Sequence, residues 1–329
     1  MTQPPSTTVS IPFFVGIDVA LDKLDLGRTD SDKLSSFTND ADGIRQVVDL
    51  LRAAAPTLTV VEATGGLERS LLHALLDAGL PVSLVNPAHV RHFAKGLGIR
   101  AKTDAIDARV LAQFARLASP RQAQKRPENQ LELEALVTCR RQLTHVRTEQ
   151  TNRRKRTDSK AALKAIDAVL KAIETQIDHL DAQIRKLIES DDDFNSIDKL
   201  LQSVPGVGGI LSATLLAELG ELGSTDRRQI SSLVGVAPFN HDSGQLKGKR
   251  AIRGGRASVR SVLYMATITA IRCNPIIKTF AERLKKTGKL NKVVIVACMR
   301  KLVALLNAML RDRLSWNQLT LVKNLSIHR

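Results

Sequence analysis

Residues 13–20 read FFVGIDVA, with Val15, Ile17 and Val19 alternating against Gly16, Asp18 and Ala20. A period of two over this length predicts a half-buried β-strand. An acid inside such an apolar strand costs desolvation energy unless something compensates it, so Asp18 stands out. Working outward, KLDLGRTD and KLSSFTND follow at hairpin spacing. A helical stretch over about 42–55 then precedes the apolar run TLTVVEA (57–63). A helix from about 66, the strand PVSLVNPA, and helices from about 87 and 104 complete the segment. Early strands followed by alternating helix and strand predict an α/β domain with a mixed sheet over 1–119.

Beyond about 128 the pattern turns helical. Leu163, Ile166, Leu170, Ile173, Ile177, Leu180, Ile184 and Leu187 recur at alternating spacings of three and four, a heptad seam. A weaker seam at Leu136, Cys139, Leu143 and Val146 precedes it across the polar stretch RTEQTNRRKRTDSK. The two pair either within one chain, as a helical hairpin, or between chains in a homo-oligomer. The run SDDDF (190–194) closes this coiled-coil region, 120–194, and a mostly helical segment occupies 195–329. Within it VPGVGG (204–209) breaks one helix and starts another, a hairpin turn whose free N–H groups suit a phosphate. The expected fold class is therefore α/β plus all-α.

The 329 residues carry a net charge of +16, and its distribution is uneven. Residues 1–119 hold 12 Lys and Arg against 13 Asp and Glu, whereas the remainder holds 37 against 20. A basic surface spread over some two hundred residues suits a phosphate backbone better than a small anion. Nucleic acid is thus favoured over a metabolite or a membrane. The three cysteines, 139, 273 and 298, form neither a disulfide framework nor a zinc pattern, which fits a reducing cytoplasm. No run of 18 apolar residues and no secretory leader is legible. One Trp and one Tyr argue against a base-stacking platform, leaving phosphate and shape contacts as the expected mode.

Four acids have nuclease-like placement. Asp18 lies on the first strand and Glu62 at the end of a later one, in VVEATGG; Asp104 and Asp107, in KTDAIDAR, share one helix face at i and i+3. Converging strand ends and a helix face offer hard oxygen ligands to two Mg²⁺ ions. Singly, each acid reads equally well as a solvated side chain, and Asp104 as a helix cap. Farther on, NHDSGQLKGKRAIRGGR (240–256) places Ser243 and Gly244 ahead of Lys247, Lys249, Arg250, Arg253 and Arg256, with no acid among these cations. From these residues alone it is a basic loop with a turn-forming serine or a phosphate-handling site. GQLKGKR lacks P-loop spacing, His241 lies near Ser243 without a GxSxG motif, and the histidines show no metal spacing.

GIDVALDKLDL, VVEATGG, KTDAIDA, VPGVG and LVGVAPFNHDSG, in this order and spacing, resemble the DEDD-type insertion-sequence transposases related to the pilin-gene invertase, a family of bridge-RNA-guided recombinases. The resemblance covers nearly the whole chain. It implies a ribonuclease-H-like domain of the Holliday-junction-resolvase type, a coiled coil, and a C-terminal transposase domain with a nucleophilic serine. Asp18, Glu62, Asp104 and Asp107 match the family's metal-binding acids and Ser243 its serine. It further implies donor and target DNA, a guide RNA, Mg²⁺, a homo-oligomer, and a bacterial cytoplasmic protein at the nucleoid, with the basic residues after Ser243 holding nucleic acid. Two other classes remain beside it. One is a Mg²⁺-dependent structure-specific nuclease using the same acids without a covalent intermediate; the other is a non-enzymatic nucleic-acid-binding protein.

Overall fold

The computed structural model describes residues 12–99, 104–240, 242–243, 246–248 and 250–318. It contains two compact units, Met1–Arg126 and Pro127–Arg329.

The first unit is built on a five-stranded sheet. Its strands are β1 (Phe14–Val19), β2 (Lys23–Arg28), β3 (Ser35–Thr38), β4 (Leu58–Glu62) and β5 (Val82–Val85), in the order β3-β2-β1-β4-β5. β1, β2 and β3 pair antiparallel, while β4 and β5 run parallel to β1 and to each other. The alternation read in FFVGIDVA sends Val15, Ile17 and Val19 into a core with α1 (Ala41–Ala54) and α2 (Arg69–Asp77). The other face packs Phe14, Leu58 and Val60 with α3 (Pro87–Gly96) and α4 (Asp104–Ala118). Asp40 caps α1 by accepting from Gly43 N–H at 2.8 Å, and Asn86 caps α3 from Ala88 N–H at 2.8 Å.

The second unit opens with α5 (Glu128–Arg154) and α6 (Lys160–Ser190), which fold back on each other within the chain. Asn129 with Asp191, Arg140 with Asp181 and Arg154 with Asp167 pair along the hairpin, which sets the helices antiparallel. Ile166, Ile173, Ile177, Leu180 and Ile184 of the heptad seam are buried, as is Ile188. The α5 seam differs from expectation. Leu133 and Val137 are buried, whereas Cys139 and Val146 are exposed. Leu136 of the expected seam packs with Leu133 and Val137, but beyond it the contacting row lies one position along and is polar: Arg140 meets Asp181 there, and Thr144 bonds back to the Arg140 carbonyl at 2.9 Å. Ion pairs replace apolar contact on that row, so hydropathy alone misplaces it.

Replacing Ile173 and Ile177 together by Glu puts two charges into this seam. Each change should cost about 3 kcal/mol or more. Urea unfolding with far-ultraviolet circular dichroism reads it as a lower midpoint and lost helicity; an unchanged transition means the seam carries no packing.

The acidic run both ends α6, at Ser190, and begins the next helix. Asp191 accepts from Phe194 N–H at 2.8 Å and caps α7 (Asp192–Gln202), with Asp192 and Asp193 in its favourable first turn. The turn VPGVGG joins α7 to α8 (Gly209–Glu218). Gly206 has φ +96°, and a Cβ there would come 2.6 Å from the Cα of Ala270, so both backbone angle and crowding require glycine. α9 (Arg227–Val234), α10 (Ala257–Cys273), α11 (Pro275–Lys286) and α12 (Asn291–Asp312) complete one helical core around Leu215, Ile230, Leu263, Leu302 and Leu306. α12 is long and apolar enough to cross a membrane, but Cys298, Leu302, Leu306 and Met309 on it are buried in that core. Burial raises the Cys298 thiol to about 11, which leaves it protonated and unreactive at neutral pH.

Candidate active site

In the first unit three carboxylates share one face of the sheet. β1 and β4 run parallel with Gly16 opposite Val60 and Ile17 opposite Val61, so Asp18 and Glu62 are next in register. Across the antiparallel pair Asp18 faces Asp25 of β2. Paired residues point to the same side of a sheet, so Asp25, Asp18 and Glu62 form a row across three adjacent strands. Asp25 was not singled out by sequence reasoning, because its alignment with Asp18 depends on pairing register. Its carboxylate is 2.9 Å from the Lys23 ammonium.

α4 covers the same face. A Cβ on Gly16 would overlap the Ala108 carbonyl and the Ala112 amide, and one on Gly27 would lie 2.9 Å from the Ala108 carbonyl carbon. Glycine in both strands therefore lets the α4 backbone rest directly on the sheet. Asp107 immediately precedes Ala108, and Gly16 lies two residues from Asp18 on the same strand face, about 7 Å along it. Asp18, Glu62 and Asp107 are each half-buried. Asp104 is the first residue of α4, at i−3 from Asp107 as expected; its side chain lies outside the described residues.

A second residue missed at the sequence level shapes the loop after Glu62. Glu68, 6% exposed, accepts from the Thr64 hydroxyl at 2.7 Å, the Gly66 N–H at 2.9 Å and the Thr64 N–H at 3.1 Å. Gly65 and Gly66 have φ of +85° and +133°, which the tight ATGG turn requires. Burial pushes the Glu68 carboxyl up, but the Thr64 hydroxyl and the backbone N–H groups outweigh it and hold it below the usual glutamate value. A carboxyl depressed in the folded state adds stability above the unfolded value, and this is lost as pH falls through the folded one. Glu68→Gln should therefore cost about 2 kcal/mol at pH 7. The gap to the parent should begin to narrow as pH falls below about 4. Urea midpoints at pH 7, 5 and 3.5 check this, and a gap independent of pH would refute the charged role.

In the second unit the serine stands on a small β-hairpin, an element that the composition of residues 240–256 does not signal. β6 (Pro238–Phe239) pairs with β9 (Ala251–Ile252), and β7 (Asp242–Ser243) pairs with β8 (Leu246–Lys247). Ser243 is thus opposite Leu246, with two residues between the inner strands. Its side chain and that of Lys247 lie outside the described residues, as do Gly244 and Lys249. Arg250 and Arg253 are exposed. Arg250, Arg253 and Arg256 share no helix face, because α10 starts only at Ala257.

The base of this hairpin is tightly held. Arg256 donates to both Glu221 oxygens at 2.7 and 2.8 Å, and its N–H reaches the Leu233 carbonyl at 2.8 Å. Arg260 donates to the Gly254 carbonyl at 2.6 Å. Gly235 and Gly255, both with positive φ, bring their backbones so close that a Cβ on either would overlap the other segment. Arg256 therefore anchors the hairpin through Glu221, a bidentate ion pair of the stronger kind.

Residues 15–157 match a family model described as "Transposase". The protein is accordingly an enzyme of DNA strand cleavage and rejoining, a transposase. Residues 198–282 match the model described as "Transposase IS116/IS110/IS902 family", and the chain belongs to the IS110 family of transposases. It is 31% identical over 313 residues to the pilin gene-inverting protein of Moraxella bovis, covering 91% of this chain and 96% of that one. The pilin gene-inverting protein of Moraxella lacunata matches over the same span. The transposase for insertion sequence element IS1111A of Coxiella burnetii is 23% identical over 292 residues, 78% of each chain.

Proposed function

We propose that this transposase cuts and rejoins DNA through Ser243, with Asp18, Glu62, Asp104 and Asp107 holding two Mg²⁺ ions. The observation that carries the reading is the register of β1 and β4, which sets Asp18 beside Glu62 on the face covered by α4. The strand order β3-β2-β1-β4-β5, antiparallel on one side of β1 and parallel on the other, supports a ribonuclease-H-like first domain. Boundaries at 119 and 194 separate it from a helical arm and a serine-bearing transposase domain.

The donor set fits the metal. Among the described residues no three His, Cys, Asp or Glu side chains converge as a ready cage. Mg²⁺ needs only one or two protein carboxylates per ion, because it retains several waters. When bound, the ions would offset charge developing on phosphate oxygens.

The chain's own groups do the rest. The Ser243 hydroxyl gives up its proton to a base as its oxygen attacks phosphorus; a serine–phosphate bond forms and one phosphodiester P–O bond breaks, freeing a DNA hydroxyl. Attack by a DNA hydroxyl on that serine phosphate reverses the sequence and restores the serine. The number of phosphate ester bonds is conserved, so rejoining needs no outside energy source. Lys247, Lys249, Arg250 and Arg253 around the hairpin hold the backbone and the developing charge, and Arg256 fixes the hairpin's base. Ser243 and the acids belong to different units, and the reaction needs both. Donor and target DNA, an RNA guide, a homo-oligomer and a cytoplasmic location at the nucleoid complete the reading. Its test is recovery, after denaturation and proteolysis, of a DNA-linked peptide containing residue 243. Strand cleavage with no such adduct supports the nuclease reading instead.

A further inference from the structure

We propose that the cleft between α9, α11 and α12 is a groove for the sugar–phosphate backbone of a nucleic acid, leading to the base of the Ser243 hairpin. The cleft has a volume of about 790 Å³. Arg227 and Arg228 from the start of α9 line one side, Arg300 and Lys301 of α12 another, and Pro238, the first residue of β6, lies at its rim. Ala297, Ala304 and Ala308 of α12 keep the floor low enough for a backbone to approach. A second cleft, about 390 Å³, adjoins the first at Phe280 and Lys301 and adds Arg283.

Among the described residues no acidic side chain lines either cleft. Arg283 and Arg300 make no ion pair among the described residues, and Arg227 and Arg228 have beside them only the charge of Asp226, which caps α9. Like charges gathered in one concave site repel, and a row of phosphates relieves that repulsion while releasing counterions. Phe280 orders two of the cations: the Lys301 ammonium lies 4.5 Å and the Arg283 guanidinium 5.3 Å from its ring centroid. With its ring engaged this way, Phe280 is a positioning residue rather than a base-stacking one. The contacts are then to phosphates and independent of base sequence. None of these residues belongs to the basic stretch after Ser243, and all are brought together only by packing.

This inference rests on the chain's being a nucleic-acid enzyme but not on Ser243 chemistry. It is tested by equilibrium binding without divalent metal, where no strand is cut, so its failure and that of the serine mechanism are separable. The full-length triple variant Arg227→Gln/Arg228→Gln/Arg300→Gln is titrated with labelled 30-base-pair DNA and with single-stranded DNA and RNA of equal length, across a salt series. The slope of log affinity against log salt should shrink by about 0.9 per lost phosphate contact on a duplex or about 0.7 on a single strand. The probe showing that loss identifies the groove's ligand. Phe280→Leu should weaken the same probe about threefold with little change of slope. A control, Arg185→Gln/Lys186→Gln/Lys199→Gln, removes three exposed cations of the same unit outside the clefts and should leave the slope unchanged. An unchanged slope in the triple variant for every probe, or an equal loss in the control, overturns the proposal. Single Arg300→Gln, at an exposed helix position, supplies the one-contact version should the triple variant fold poorly.

Discussion

Ser243→Ala should abolish strand exchange and the protein–DNA adduct together, by about 10⁴-fold or more, while nucleic-acid affinity changes little. The reason is that one hydroxyl disappears and the surrounding charge stays. Lys247, Lys249, Arg250 and Arg253 remain to hold phosphate, and the Arg256–Glu221 pair and the Gly235–Gly255 contact still hold the hairpin's base. A nuclease that activates water would lose little with the same change, since its nucleophile is not the side chain. Ser243→Cys should retain weak activity, because a thiolate can attack phosphorus but differs in size and acidity. Gel-resolved recombination and adduct mapping decide the matter. Efficient recombination by the alanine variant, or an adduct on another residue, rules Ser243 out.

Asp18→Asn and Glu62→Gln should each lower recombination by about 10³-fold or more and leave the first unit folded. Both changes keep shape and remove charge from half-buried positions beside each other on the sheet. Asp107→Asn and Asp104→Asn test the helix side of the same face. Metal-free DNA binding should stay within about twofold of the parent, because the excess positive charge lies elsewhere. Calorimetric titration with Mg²⁺ adds a readout besides activity: heat of binding should fall in each variant. A variant with full recombination and an unaltered titration removes its residue from the site.

Much of the first unit was legible because its signals are local. The period of two in FFVGIDVA and the apolar runs TLTVVEA and PVSLVNPA became β1, β4 and β5, and the helical stretches between them became α1 and α2. The heptad seam of α6 was equally plain. Its partner row on α5 was not, since Arg140 and Thr144 occupy positions that hydropathy assigns to solvent. The Ser243 hairpin escaped too: its strands are two residues long and lie among lysines, arginines and glycines, where no alternation can register.

Local signals were enough for the order of elements in the first unit, the α6 seam and the placement of excess positive charge, because each is a property of neighbouring residues, whereas the four acids and the serine stood out as a set only through the family resemblance. Tertiary structure alone decided that the α6 seam closes on α5 of the same chain, that Asp25 joins Asp18 and Glu62 in one row, and that Glu68 stitches the loop beyond them. It alone gathered Arg227, Phe280 and Arg300 into one cleft. Strand register and helix packing are set by pairings across tens of residues, and their energy comes from burial that no local window contains.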